Sequence, residues 1–166
     1  LNTIEKTIEA NKMVKNAQVF LSVNGTLATK ILQRTPIGRV EADTKFYLDA
    51  DGKRMPLSSS HSARVPIITG KITGDSLEDA YEILNYINAD DFLRKNVIGI
   101  HVEDVGRYQL RFRTEQFTVN LGGVENLEKK FNKFKAFYAK ANLDDTLANY
   151  DIVSLEFNNQ VVCTKI

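Results

Sequence analysis

Asp151-Ile152-Val153-Ser154-Leu155-Glu156-Phe157-Asn158-Asn159-Gln160-Val161-Val162-Cys163-Thr164 is followed only by Lys165 and Ile166. Two apolar runs around a two-residue polar turn, Asn158-Asn159, read as an antiparallel hairpin. The second run, Gln160 to Thr164, is β-branched and uncharged. A last strand of this kind is either covered by its own domain or is an edge to which another chain adds a strand. Upstream, Leu127 to Ala141 reads as a helix with Leu127, Phe131, Phe134 and Tyr138 on one stripe. Before it, Arg107 to Leu121 alternates as a hairpin. Tyr108, Leu110 and Phe112 face one way, Arg107, Arg111 and Arg113 the other, and Phe117, Val119 and Leu121 pair back. Ile98, Ile100 and Val102 make another strand. Strands in antiparallel series with helices packed on them place the chain in the α+β class, with a mixed, mainly antiparallel sheet.

The first half obeys the same periods. Leu1 to Val14 reads as a helix, with Ile4, Ile8 and Met13 near one stripe. Val19, Leu21 and Val23 alternate, Asn24-Gly25 supplies the positive φ angles of a tight turn, and Leu27, Thr29 and Ile31 return. Pro36 to Thr44, with Gly38 in it, reads as a short hinge. Phe46-Tyr47-Leu48 and Lys53-Arg54-Met55 flank Asp49-Ala50-Asp51-Gly52, a four-residue turn with glycine where a left-handed residue is needed. Leu57 to Ser62 is a polar loop. A helix opens at Ser76, a good N-cap, and turns Leu77, Ala80, Tyr81, Leu84 and Ile87 to one side. Ala89 to Arg94 adds a short helical turn.

Composition excludes several classes. The 166 residues carry 22 basic and 21 acidic side chains, a net charge of +1, so no whole-molecule field draws the chain to nucleic acid. The single cysteine rules out an intramolecular disulfide. No run approaches the ~18 apolar residues of a membrane-spanning helix.

Gly106-Arg107-Tyr108-x-Leu110, Phe117-x-Val119-x-Leu121-Gly122, a helix, and then Ile152 to Asn159 resemble the end of the bacterial cell-division family FtsQ/DivIB. Ser154, Glu156 and Phe157 stand where that family usually has Asp, Arg and Tyr, but the alternation is kept. Helix, strand, Asn24-Gly25, strand and Gln33-Arg34-Thr35-Pro36-Ile37-Gly38 resemble the second half of the family's POTRA module. Val65-Pro66-Ile67-Ile68-Thr69-Gly70 resembles its Leu-Pro-hydrophobic-x-Gly segment. The resemblance implies a partial POTRA unit, helix plus hairpin, over residues 1–40 and a β domain over residues 41–166. It implies an N-terminal cytoplasmic tail, a membrane helix and the first POTRA elements outside this sequence. It also implies a non-enzymatic scaffold on the periplasmic face of the inner membrane at the division site, working among other septal membrane proteins. Such a scaffold would hold FtsB/FtsL-type partners through its final turn and strand, here Phe157, Asn159, Gln160, Val161, Val162, Cys163, Thr164 and Lys165.

Two rival functions follow from other features. A POTRA-bearing component of outer-membrane assembly or secretion would carry further POTRA repeats or a barrel. An envelope hydrolase would use Ser76 of Gly74-Asp75-Ser76-Leu77, which spells the GDSL nucleophile motif but lacks an Asp-x-x-His block to activate it. Cys163 with His101 would be a thiolate pair, yet Cys163 sits in a valine-rich strand rather than at a helix N-terminus. Asp49-x-Asp51-Gly52 starts like a calcium loop, but Lys53 and Ser60 occupy positions that need acidic ligands. Asp90-Asp91 and Asp144-Asp145 lack a third ligand at metal spacing. The expectation is therefore no metal, no cofactor and no catalysis. Lys129, Lys130, Lys133, Lys135 and Lys140 read mostly as a solvated helix face. Arg107, Arg111 and Arg113 form a basic stripe suited to solubility or to an acidic protein or lipid surface; with Tyr108 and Phe112 on the opposite face it lacks an RNA-stacking platform.

Overall fold

Two sheets of very different size organise the computed structural model, which describes residues 1–166. The smaller is the hairpin of β1 (Val14–Leu21) and β2 (Leu27–Gln33), packed with helix α1 (Asn2–Glu9). The helix stops at Glu9, not at Val14. The Asn11 side chain accepts the Met13 amide at 2.9 Å and the Asn11 carbonyl accepts that of Val14 at 2.9 Å, and this asparagine turn releases Val14 into the strand. The expected tight turn is also looser. The Ser22 amide reaches the Thr26 carbonyl at 2.8 Å, and only Gly25, at φ +82°, takes a left-handed conformation.

The larger sheet has nine strands: β3 (Pro36–Glu41), β4 (Lys45–Asp49), β5 (Arg54–Met55), β6 (Ile67–Gly70), β7 (Val97–Asp104), β8 (Arg107–Phe112), β9 (Thr118–Gly122), β10 (Tyr150–Ser154) and β11 (Val162–Lys165). Their order is β11-β10-β9-β8-β7-β6-β3-β4-β5. Three neighbouring pairs are parallel, β3 with β6, β6 with β7 and β9 with β10; the other five are antiparallel. Parallel neighbours need a crossover. Helices α2 (Gly74–Ala89) and α3 (Asp91–Asn96) supply one between β6 and β7, and α4 (Leu127–Leu143) supplies one between β9 and β10. The fold is thus α+β, as its periodicity implies.

One core lies between the sheet and the helices. Ala80, Ile83, Leu84 and Ile87 of α2 meet Phe131 and Phe134 of α4 and the inward residues Ile100, Val102, Leu110 and Val119 of the strands. Tyr86 stacks on Phe131 at 5.0 Å, which joins the two long helices. Every member of this core falls between Ile37 and Leu155; residues 1–35 contribute none. The small unit touches the large one through charge instead. Arg34 pairs with Asp49 at 2.7 Å and Lys15 with Asp51 at 2.8 Å.

Four local expectations change. Pro36–Glu41 is not a hinge: Ile37 and Val40 are buried, and the segment pairs with both β4 and β6. The N-cap of α2 is Thr73, and Ser76 is the reciprocal partner three residues on, making a capping box. Ile98 leaves the Ile100–Val102 face because the register shifts between Val97 and Gly99. Lys130, placed on a solvated face by its spacing, is buried; its ammonium donates to the Gly123 carbonyl at 2.9 Å and to Glu125 at 2.7 Å.

Candidate functional site

Strand β11 is the last in the large sheet, paired with β10 on one side and with nothing on the other. Ser154 stands opposite Val162, Val153 opposite Cys163 and Ile152 opposite Thr164. The connection runs from Leu155 to Val161, longer than the two residues expected, because β10 ends at Ser154 and β11 begins only at Val162. The Leu155 amide is diverted to the Asn120 carbonyl of β9 at 2.8 Å. The opposite edge, β5, has two residues and offers little to pair with. Of the two sheet ends, the β11 end is the usable one.

The strand's two faces differ. Val161 and Cys163 pack against the core. Val162 is 38% exposed, and Thr164 and Lys165 are open to solvent. Burial pushes the Cys163 thiol above its usual range, as expected of a small apolar residue and not of a nucleophile. The Ile166 amide donates to the Asn149 carbonyl at 3.0 Å. Strand amides alternate in direction. Those of Val162 and Thr164 share the parity of Ile166 and turn toward β10, while those of Cys163 and Lys165 turn out along the free edge.

Phe157, 49% exposed, and Asn159 and Gln160, also exposed, form the connection beside this edge. The structure therefore brings Phe157, Asn159, Gln160, Val161, Val162, Cys163, Thr164 and Lys165 together at one corner. Sequence reading missed a ninth member. The Lys133 ammonium, from α4, donates to the Phe157 carbonyl and reaches that of Gln160 at 3.5 Å. Burial, and then the neighbouring Lys129 and Lys130 charges, hold it below the usual lysine range. No local sequence signal links it to a loop 24 residues downstream.

The other motifs resolve into structural roles. Ser76 is fully buried; its hydroxyl donates to the Lys71 carbonyl at 3.1 Å and accepts the Thr73 amide at 2.8 Å. It cannot attack a substrate from there, which removes the hydrolase reading. The ring of His101 bonds Thr69 at 3.0 Å. His101 lies on β7, four strands from β11, roughly 19 Å at ~4.8 Å per strand, so no thiolate pair with Cys163 forms. Asp49 closes its turn by accepting the amides of Asp51 and Lys53 at 2.9 and 2.7 Å. Asp90 caps α3 and pairs with Lys135 at 2.6 Å. Arg107 lies 3.6 Å from Asp104, and Arg113 donates to the Lys95 carbonyl at 3.1 Å.

Comparison with known proteins gives the family. The chain is 22% identical over 183 aligned residues to a cell division protein FtsQ from Geotalea daltonii. The alignment takes in all of this chain and 64% of that protein's length. A family model described as FtsQ/DivIB, C-terminal related, matches residues 35–164, from the approach to β3 almost to the end of β11. The chain belongs to the FtsQ/DivIB C-terminal related family.

Proposed function

We propose that this chain is a non-enzymatic scaffold of the bacterial cell-division machinery, and that β11 is where it holds a partner by strand addition. The observation that carries the reading is the place of β11 at the end of a nine-stranded sheet, with no strand paired on its outer side. An extended segment laid beside it satisfies the outward main-chain groups, and side-chain pockets on alternate positions select the segment. Main-chain pairing tolerates side-chain drift, so Ser154, Glu156 and Phe157 do not remove the site. Partners of this kind are FtsB/FtsL-type division proteins, among other septal membrane proteins. Residues 1–40 act as a POTRA-like segment and 41–166 as the β domain, with Pro36–Glu41 passing into the large sheet. No helix here is long and apolar enough to cross a membrane; in this reading an N-terminal helix outside the sequence anchors the protein on the periplasmic side of the inner membrane, at the division site.

Isothermal titration with the extracytoplasmic segment of an FtsB-type protein tests this. The full 166-residue chain should bind, and a chain truncated after Asn159 that keeps the circular dichroism of the remaining sheet should not. Equal affinity of the two would place the site elsewhere.

A further inference from the structure

We infer that Lys133 is a positioning residue for the β11 edge: it fixes the connection between β10 and β11 in the shape a partner strand meets. The inference rests on the strand-addition reading above. Two other lysines of α4 are held by carboxylates, Lys135 by Asp90 and Lys130 by Glu125 together with the Gly123 carbonyl. Lys133 instead directs its ammonium to main chain, the carbonyls of Phe157 and Gln160. Those two carbonyls bracket Asn158-Asn159, so one side chain spans the exposed turn and ties it to the helix.

The placement has a physical consequence. Phe157, Asn158, Asn159 and Gln160 are all exposed, and no apolar side chain among them is fully buried to hold the turn from below. An ammonium is a compact donor with three hydrogens, suited to gathering two carbonyls of one turn. Without it the turn is free to move, and a partner must order it on binding, which reduces affinity. Gln160 is the residue before Val161, whose side chain packs on the core at the mouth of the edge. A shift of the turn is thus passed directly to the residues a partner strand lies against.

The test uses the full chain with Lys133→Met and Lys133→Arg variants and two readouts. Hydrogen exchange of the free protein reads the turn, and titration with the extracytoplasmic segment of an FtsB-type protein reads the edge. Lys133→Met should exchange the Asn158–Val161 amides about tenfold faster, leave β8 and β9 amides unchanged, and bind about five- to tenfold more weakly. Lys133→Arg should restore both to within about threefold. Unchanged exchange in Lys133→Met, or faster exchange with unchanged affinity, would overturn the assignment. If the wild-type chain itself does not bind the segment, the strand-addition reading fails and takes the binding role of Lys133 with it. The exchange data would then still report separately whether the lysine holds the turn.

Discussion

Strands β1 and β11 both run at the margin of a sheet, and the molecule treats their unpaired amides in opposite ways. On β1, the Val19 amide donates to Glu5 at 2.7 Å and the Ala17 amide to Glu9 at 3.0 Å. These two glutamates, one helical turn apart on α1, stand in for a neighbouring strand and close the margin. On β11 nothing of the sort happens. The difference is instructive because the burial runs the other way. The β1–β2 unit leaves Phe20, Leu21, Leu27, Ile31 and Leu32 about half exposed or more, whereas β11 rests on a core of 24 buried residues. The margin of the small, thinly covered unit is capped, and the margin of the large sheet, at a strand with no fully buried residue of its own, is free. An edge is useful for binding when the sheet behind it is rigid enough to lose little entropy on pairing.

The comparison can be broken most severely at the joint between the two units. Asp49 is almost fully buried against Arg34. Replacing Asp49 by Ala leaves that guanidinium without its partner and should cost about 3 kcal/mol in urea unfolding. The same pair carries a pH signature. Burial pushes the Asp49 carboxyl up, but the Arg34 hydrogen bond, the Lys53 and Asp51 amides and the Arg34 charge outweigh it and hold the group below its ordinary 3.8. A carboxyl depressed on folding contributes stability in full above its unfolded value, and that contribution is lost as pH falls through the lower, folded one. Stability should therefore fall below about pH 4, and Asp49→Asn should flatten that part of the profile. An unchanged acid limb would show that the joint is not set by this pair.

A smaller effect is expected at β11 itself. Cys163→Pro removes an outward amide, which an edge strand tolerates. It should leave the melting temperature within a few degrees of wild type yet weaken partner binding by about 2 kcal/mol, or roughly thirtyfold. Val162→Pro removes an inward amide and should loosen the hairpin, visible as lost circular dichroism. If the two prolines behave alike, the assigned amide directions are wrong. Smallest of all, Glu5→Ala with Glu9→Ala should cost about 1–2 kcal/mol locally and open the β1 margin. The readout is concentration-dependent self-association by sedimentation, expected to exceed that of the wild type; no increase in the double variant would mean the glutamates do not guard that margin.

Much of this was legible in the sequence because its signals are local. The hairpin around Asp49–Gly52, the alternation of β8 and β9 and the aromatic stripe of α4 each lie within one short window. The edge strand was legible too, from its uncharged, β-branched run. What could not be read depends on residues far apart. Gly38 looked like a hinge, but a Cβ there would lie 2.4 Å from a Leu84 methyl; the glycine is small to admit α2, not to bend the chain. Lys133 looked solvated because its partner, Phe157, approaches only once the crossover has formed, and Lys130 because the bend that opens α4 folds Gly123 and Glu125 back over it. The parallel pairing of β9 with β10 leaves no periodic trace at all.

That crossover also sets when the binding edge comes into being. Val119 finds its partner Val153 only after the whole α4 segment has been looped back, and β11 pairs with no strand except β10. Long closures of this kind are slow compared with forming a hairpin. Under the strand-addition proposal, competence to bind at β11 would therefore arise only after β10 has paired with β9, so a partner that recognises this edge would sample molecules in which that crossover is closed.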